Sequence, residues 1–428
     1  MKNQKSFISR KDVIAGLTTF FTASYIVVVN PAVLSTPGTG MSFSGVMTAT
    51  VLLCFSMTLL MGLYARLPYV VAPGMGINAF FAFTLILGKG IPWPTALGMI
   101  FWAGVLFLLI SITGLREAIA TLLPKLLRSS SAAGIGLLLT LIGLKNSGLI
   151  VADPATFMKL GALSPKTGLV LAGACIMAFL YEKKNPLAFL AGIFFITAGA
   201  WLAGWVSLPA QPFSAPDFQS VFLKLDIWGA LQLALIPSIV TVLLTDLFDS
   251  ISTFVGVSHA TGLVDNDGQP TRLKEGLIVD SFATLGAGLV GTSSGTAFIE
   301  SAAGIEAGGR DGKSAVVTAL CFLPCFFIAP LAAAVPEYAT SPVLIFVGCF
   351  MFRSIAEISF QKLEDAIPAF LTIVLIPFTF SITQGILWGI LSFVGMKILV
   401  GKAKAITPMM FVLSLVAVGL LLLEHGKL

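Results

Sequence analysis

Four carboxylates sit where carboxylates are expensive. Asp246, Asp249, Asp280 and Glu300 lie deep in apolar sequence, whereas most of the 20 acidic residues fall in loops or near the ends of apolar runs. An ionised carboxyl at the centre of a membrane helix costs about 2.5–3.5 kcal/mol on insertion scales, so such a group either works in an interior cavity or is satisfied by an interhelical hydrogen bond. Burial favours the protonated form, which suits a carboxyl that picks up and releases a proton during a conformational cycle. Asp246 and Asp249, in LLTDLFDSIST, are one helical turn apart and can share a face. The interhelical hydrogen bond is the favoured reading for Asp246 and Asp280, and a working role is favoured for Asp249 and Glu300.

Glu300 also stands inside an unusual segment. GTSSGTAFIESAAGIEAGG, residues 291–309, is loaded with Gly, Ser and Thr, and VVAPGMGINAFFAF, residues 70–83, places Pro73, Gly74 and Gly76 where a continuous helix should run. Helix breakers at membrane depth are tolerated where the freed backbone is buried in protein or lines a cavity. A matched pair in corresponding places of two halves points to a midplane binding site; close helix packing on small residues is the alternative. Asn78 offers a donor and an acceptor suited to the edge of an amide-like heterocycle. Phe80, Phe81, Phe83 and Phe298 flank the breaks and can stack on a planar ligand. His259, at the end of a long apolar run, reads as structural or interfacial, and His425 in the tail carries no signal.

The elements that must hold these residues are membrane spans. The chain is 57% hydrophobic and 11% charged, with a mean hydropathy of +0.99, against roughly 25% charged in an ordinary soluble domain. A spanning helix needs about 20 apolar residues, and fourteen such runs can be drawn: 13–34, 44–65, 69–88, 94–113, 129–151, 167–181, 186–206, 229–261, 275–290, 291–306, 313–335, 341–358, 364–381 and 383–400. Residues 406–423 form a further run, either spanning or interfacial. With the N-terminus on the cytoplasmic side, most of the 25 basic residues and every arginine fall on inside loops, leaving Lys89, Lys145, Lys159, Lys166, Lys224 and Lys427 outside. The run 13–34 lacks a signal-peptide cleavage site and reads as a retained first span.

The proline-rich stretch around LPAQPFSAPDFQ divides the runs seven and seven, an odd number that inverts the second half. The expected organisation is therefore 1–206 as a first seven-span repeat, 207–227 as linker, 228–404 as a second repeat, and 405–428 as a C-terminal hydrophobic segment and tail. Basic residues scattered singly among apolar runs exclude nucleic acid as a partner. Cys54, Cys175, Cys321, Cys325 and Cys349 all lie in apolar runs and read as packing; with no His or carboxylate beside Cys321 and Cys325, no metal or other cofactor is expected. An intramembrane hydrolase would need a nucleophile and base, and only Asp246 and Asp249 come near that requirement.

The strings GLTTFFTASYIVVVNP (16–31), APGMGINAFFAF (72–83), LTDLFDSISTFVGV (244–257), GTSSGTAFIESAAG (291–304) and AIPAFLTIVLIPFTFSI (366–382) resemble the signature segments of the azaguanine-type purine permeases of the nucleobase:cation symporter superfamily. The resemblance runs nearly the length of the chain. It implies an all-α membrane protein of two inverted seven-helix repeats, arranged as core and gate domains, with the third and tenth segments broken beside the substrate. It implies import of adenine, or of guanine and hypoxanthine, by a cation-coupled transporter rather than an enzyme, and the buried carboxylates favour a proton over sodium as the coupling ion. An anion, or another nucleobase such as uracil or xanthine, is the alternative cargo for the same fold. Carried over by motif, the substrate carboxylates fall on Asp249 and Glu300 and the polar residue of the third segment on Asn78, which demotes Asp246. The expected substrate-binding set is Asn78, Asp249, Glu300, Phe80, Phe298, Gly76 and Thr296, with Asp249, Glu300 and Asp246 as proton-coupling candidates. The expected partners are a purine base and the lipid bilayer of the inner membrane, and a homodimer is one assembly open to it. One departure stands out: relatives carry acids just before the AIPAF motif, where this chain has Gln361 and Lys362.

Overall fold

The computed structural model describes residues 8–113, 124–265 and 270–424, and among them the chain is mostly helical. Among the described residues seven helices are long and apolar enough to cross a membrane, and the shorter apolar helices include Met75–Gly88, Ala188–Leu202 and Gly312–Phe327. Local signals set many of the ends. Ser9 and Asp12 form a capping box at the start of α1 (Arg10–Ala23). Ser42 caps α3 (Phe43–Leu60), and Gly262, at φ +71°, closes the long helix Ile236–Thr261.

Two sets of helices pack principally on their own members. One set contains α1, α2 (Ile26–Leu34), α3, α4 (Met75–Ala79), α5 (Trp93–Thr113), and from the second half α9 (Ile236–Thr261), α10 (Leu273–Val290), α11 (Ser301–Glu306) and α12 (Gly312–Phe322). The other contains α6 (Lys125–Asn146), α7 (Pro165–Glu182), α8 (Ala188–Leu202), α14 (Glu337–Phe352), α15 (Leu363–Thr379) and α16 (Ile382–Leu399), with α13 (Ala329–Ala333) lying back against α2 and α3. These are the core and gate bundles that the resemblance implied, and each draws helices from both halves of the chain. A last helix, α17 (Pro408–Glu424), lies along α16.

Small residues let helices of each bundle approach closely. In the gate, a Cβ on Gly136 of α6 would lie 2.5 Å from the Gly348 carbonyl of α14, and one on Gly348 would lie 2.4 Å from the Gly136 carbonyl. In the core, a Cβ on Gly104 of α5 would lie 2.3 Å from the Leu285 amide of α10.

The first run, 13–34, forms one membrane-length helix, Arg10–Leu34, with a turn at Ser24–Tyr25 between α1 and α2 where both residues keep right-handed helical dihedrals. One apolar run folds differently from its sequence reading. The fifth, 129–151, ends as helix at Asn146; Gly148 turns the chain with φ +74°, and β2 (Ile150–Asp153) pairs antiparallel with β3 (Phe157–Leu160) in a hairpin. Apolar character continued past a left-handed glycine, so hydropathy alone overran the helix end. Lys159 pairs with Asp153 at 2.8 Å, and that ammonium holds the Asp153 carboxyl below the usual carboxylate range.

The stretch from Ala203 to Trp228 contains no regular element, in line with its prolines. It is nonetheless docked. The Asp217 carboxylate accepts from Ser44 Oγ at 2.8 Å and Ser220 Oγ at 2.5 Å, and the Asp217 amide donates to Thr48 Oγ1 at 2.9 Å. Partial burial pushes its carboxyl upward, but these hydroxyls and the Gln219 and Ser220 amides, each donating to Oδ1 at 3.1 Å, outweigh that and keep it below the usual range.

Polar links join groups assigned to the same side of the membrane. Arg272 Nη1 donates to the Ala65 carbonyl at 3.3 Å, Arg310 Nη1 to the Thr261 carbonyl at 2.5 Å, and Lys184 pairs with Glu306 at 3.5 Å, all on the side read as inside. The Asp217 contacts and the Asp226 amide, which donates to the Pro94 carbonyl at 2.8 Å, lie on the other.

Candidate functional site

The two broken segments meet. β1 (Val71–Ala72) pairs antiparallel with β4 (Thr296–Ala297), Val71 opposite Ala297 and Ala72 opposite Thr296, and the Phe298 amide extends the ladder to the Val70 carbonyl at 3.0 Å. Two-residue strands leave most backbone groups unpaired, and hydroxyls take up the remainder. Thr58 Oγ1 both accepts from the Val71 amide at 3.0 Å and donates to its carbonyl at 3.2 Å. Ser301 Oγ accepts from the Val70 amide at 3.1 Å and Ser294 Oγ from the Gly74 amide at 3.3 Å. β1 feeds α4 and its continuation to Gly88, and β4 leads through Phe298 to Glu300 into α11, so two helix N-termini leave the crossing in opposite directions. Neither has a side-chain cap; the first amides of α11, on Ser301, Ala302 and Ala303, are taken by the carbonyls of Phe298, Ile299 and Glu300, so the positive end of α4 is the one left to face a ligand.

The four acids gather around this crossing in two pairs of different character. Asp280 and Asp246 are buried behind β4. Asp280 Oδ2 accepts from the Ala297 amide at 3.1 Å and from Thr296 Oγ1 at 3.5 Å, while Ser250 Oγ lies 3.1 Å from Thr296 Oγ1. Asp246 Oδ2 accepts from Thr284 Oγ1, which lies one turn beyond Asp280 on α10. Asp280 thus holds β4 and Asp246 holds Thr284, while the second oxygen of each, Oδ1, is buried without a hydrogen-bond partner among the described residues. Asp249 and Glu300 are partly exposed instead. Glu300 Oε1 accepts from the Tyr25 hydroxyl at 2.6 Å, and Asp249, within electrostatic range of Glu300, accepts no hydrogen bond among the described residues. No lysine or arginine among the described residues is ion-paired to any of the four. No group of three His, Cys, Asp or Glu side chains is arranged to hold a metal among them either.

Asn78 is fully buried, its Oδ1 accepting from Ser293 Oγ, so it ties one break to the other; its amide reaches only the Met75 thioether, at 3.6 Å. Phe80 and Phe298 are buried at 1% and 6% exposure, and Thr296 presents its hydroxyl to the Ser250–Asp280 network rather than outward. Gly76 faces the gate: a Cβ there would lie 2.9 Å from Ile135 Cγ2. The structure thus sets Asn78, Thr296, Phe298 and Glu300 in or beside the crossing and Asp249 within electrostatic range of Glu300, with Asp249 and Glu300 the partly exposed polar members; Gly76 turns to the gate and Phe80 is packed in the core.

Sequence reasoning passed over three features. Tyr25 sits at the turn within the first span and holds Glu300. Asn30, wholly buried, donates to Thr50 Oγ1 at 2.7 Å and Thr292 Oγ1 at 2.9 Å. Glu364 and Asp365, directly before the AIPAF motif, pair with Lys397 at 3.4 and 3.0 Å, and Glu364 with Lys402 at 2.7 Å; Gln361 and Lys362 are not the last residues before it. A polar group in an otherwise apolar run needs a partner, which is the signal that could have marked Tyr25 and Asn30.

Residues 10–388 match the model of the Permease family. The adenine permease AdeP of Escherichia coli (strain K12) is 40% identical over 408 residues, 95% of this chain and 91% of its own length. The guanine/hypoxanthine permease PbuO of Bacillus subtilis (strain 168) is 37% identical over 428 residues, 97% of each chain. Among solved structures, the transmembrane domain of a cyanobacterium bicarbonate transporter, BicA, matches with a TM-score of 0.65 at 17% identity, over 89% of this chain and 97% of that one. The murine anion transporter Slc26a9 matches with a TM-score of 0.64 at 10% identity, over 93% and 69%. At those identities the two structures share the fold alone.

Proposed function

The chain belongs to the Permease family, and from that premise we propose that it is a secondary active transporter importing a purine nucleobase by proton symport with alternating access. The observation that carries the reading is the pair of partly exposed carboxylates, Glu300 and Asp249, at the crossing of two broken segments. A purine is neutral near pH 7 and offers ring N–H donors alongside ring nitrogen acceptors. Glu300 accepts ring N–H groups; the uncapped N-terminus of α4 serves acceptor atoms. Asn78 contributes through its amide, whose acceptor here is only a thioether. Asp249 contacts substrate or carries the coupling proton, and either role suits an acid without a fixed partner. An anion would meet two carboxylates and no paired cation at this site, so the fold shared with anion and bicarbonate transporters does not extend to their cargo. The basic inside loops orient the N-terminus to the cytoplasmic face of an inner membrane.

Proteoliposomes holding only this protein test the reading. Labelled adenine or hypoxanthine is expected to accumulate when the outside is made acidic relative to the lumen, and the accumulation to collapse with a protonophore. Absence of purine uptake under any imposed gradient would overturn the transport reading; uptake indifferent to the gradient would overturn the proton coupling.

A further inference from the structure

Tyr25 stands in the two-residue turn, Ser24–Tyr25, that separates α1, ending at Ala23, from α2, beginning at Ile26, within one membrane-length helix. The tyrosine side chain is 1% exposed, and its hydroxyl donates to Glu300 Oε1 at 2.6 Å across 275 residues of sequence. A hydroxyl donated to a carboxylate makes a short, charge-assisted bond, roughly twice as strong as a neutral one. Glu300 is itself only partly exposed and stands at the start of a helix of six residues, and among the described residues no other side chain hydrogen-bonds its carboxylate.

The other face of the Tyr25 ring leaves the core bundle. Its centroid lies 5.2 Å from that of Phe189 on α8, in an edge-on arrangement, and Phe189 lies 5.8 Å from Tyr181 on α7. Tyr181 stacks on Phe350 of α14 at 5.0 Å, and Phe346 and Phe350 both approach Phe189. A contiguous aromatic cluster drawn from three gate helices thereby touches the one residue that grips the substrate carboxylate. Edge-on and stacked pairs of this kind each contribute about 0.5–1.5 kcal/mol beyond their buried area.

Resting on the purine reading above, we infer that Tyr25 is a positioning residue for substrate: it aims the Glu300 carboxylate at the purine and, through Phe189, seats that carboxylate against the gate bundle. One lone pair of Oε1 is committed to the tyrosine, so Oε2 and the remaining lone pair of Oε1 face the ligand in a fixed plane. Without the hydroxyl, the carboxylate rotates freely and its orientation must be paid for on binding. The loss falls on affinity more than on turnover, because the phenyl ring that meets Phe189 is retained in Tyr25→Phe.

The test is equilibrium binding of labelled adenine and of labelled hypoxanthine to purified protein, with uptake kinetics alongside. For whichever purine the unaltered protein binds, Tyr25→Phe is expected to raise Kd and KM at least tenfold while the maximal rate stays within about threefold. Phe189→Leu, which keeps the hydroxyl but removes the aromatic seat, is expected to lower the maximal rate with a smaller change in Kd. An unchanged Kd in Tyr25→Phe, or a fall in maximal rate alone, overturns the positioning role while leaving the purine reading intact. Failure of the unaltered protein to bind any purine overturns both.

Discussion

Glu300→Gln is expected to lower purine uptake at least a hundredfold while leaving the protein folded. Gln has nearly the shape of Glu, and its Oε1 can still accept from the Tyr25 hydroxyl, which holds Glu300 at 2.6 Å. What changes is the end facing the substrate: an acceptor oxygen becomes an amide with two donors. A ring N–H then meets N–H, and a charge-assisted hydrogen bond worth about 1.5–3 kcal/mol is replaced by an unpaired donor on each side. Each 1.4 kcal/mol is about a tenfold factor, and sites built around one hydrogen-bonding edge lose more than the bond itself when the match fails. Initial uptake rates of labelled adenine and hypoxanthine, normalised to the amount of monodisperse protein, check this. Full activity in Glu300→Gln would remove Glu300 from the site.

Gly136→Val is expected to cost the folded transporter itself. The first atom of the new side chain would lie 2.5 Å from the Gly348 carbonyl oxygen and 2.9 Å from the Phe352 amide nitrogen, backbone atoms of α14 that no rotamer change can move aside. The contact is reciprocal at Gly348, so α6 and α14 must separate along the seam on which the gate bundle is built. Overpacking a tight core costs typically about 1–3 kcal/mol and more where the backbone must shift, and in lipid no hydrophobic force draws separated helices back together. Gly395→Val on α16, where a Cβ meets nothing within 4 Å, serves as the matched control. Size-exclusion profiles of the two variants are expected to show a loss of most monodisperse protein for Gly136→Val and an ordinary profile for Gly395→Val. Equal yields would mean that the close approach of the two glycines does not organise the gate.

The breaks at 70–83 and 291–309 were legible because Pro, Gly, Ser and Thr at membrane depth have few innocent explanations. Their pairing was not. A strand of two residues has no periodicity, and nothing in Val71–Ala72 and Thr296–Ala297 names the other as partner. The acids were legible as a group, since burial makes each of them conspicuous, and the division into fully buried and partly exposed pairs followed only from the hydroxyls at Thr284, Thr296 and Ser250 that cover Asp246 and Asp280. The same holds for Asn78, whose type marks it as a ligand contact but does not reveal that its Oδ1 is held by Ser293. Tyr25 escaped because aromatic residues are common in apolar runs and the Ser24–Tyr25 turn carries no Gly or Pro to mark it. The seven helices long and apolar enough to cross alone are the ones hydropathy marks best; the interrupted segments that build the site are those whose helical character depends on tertiary support.

The central claim is that the crossing of β1 and β4 recognises a purine base through carboxylates and backbone groups. The most direct measurement is competition: uptake of labelled adenine and of labelled hypoxanthine, each challenged with excess unlabelled adenine, hypoxanthine, guanine, uracil and bicarbonate. The account predicts uptake of at least one labelled purine, inhibited by purines and indifferent to bicarbonate and uracil. Inhibition by bicarbonate or uracil with none by any purine would contradict it.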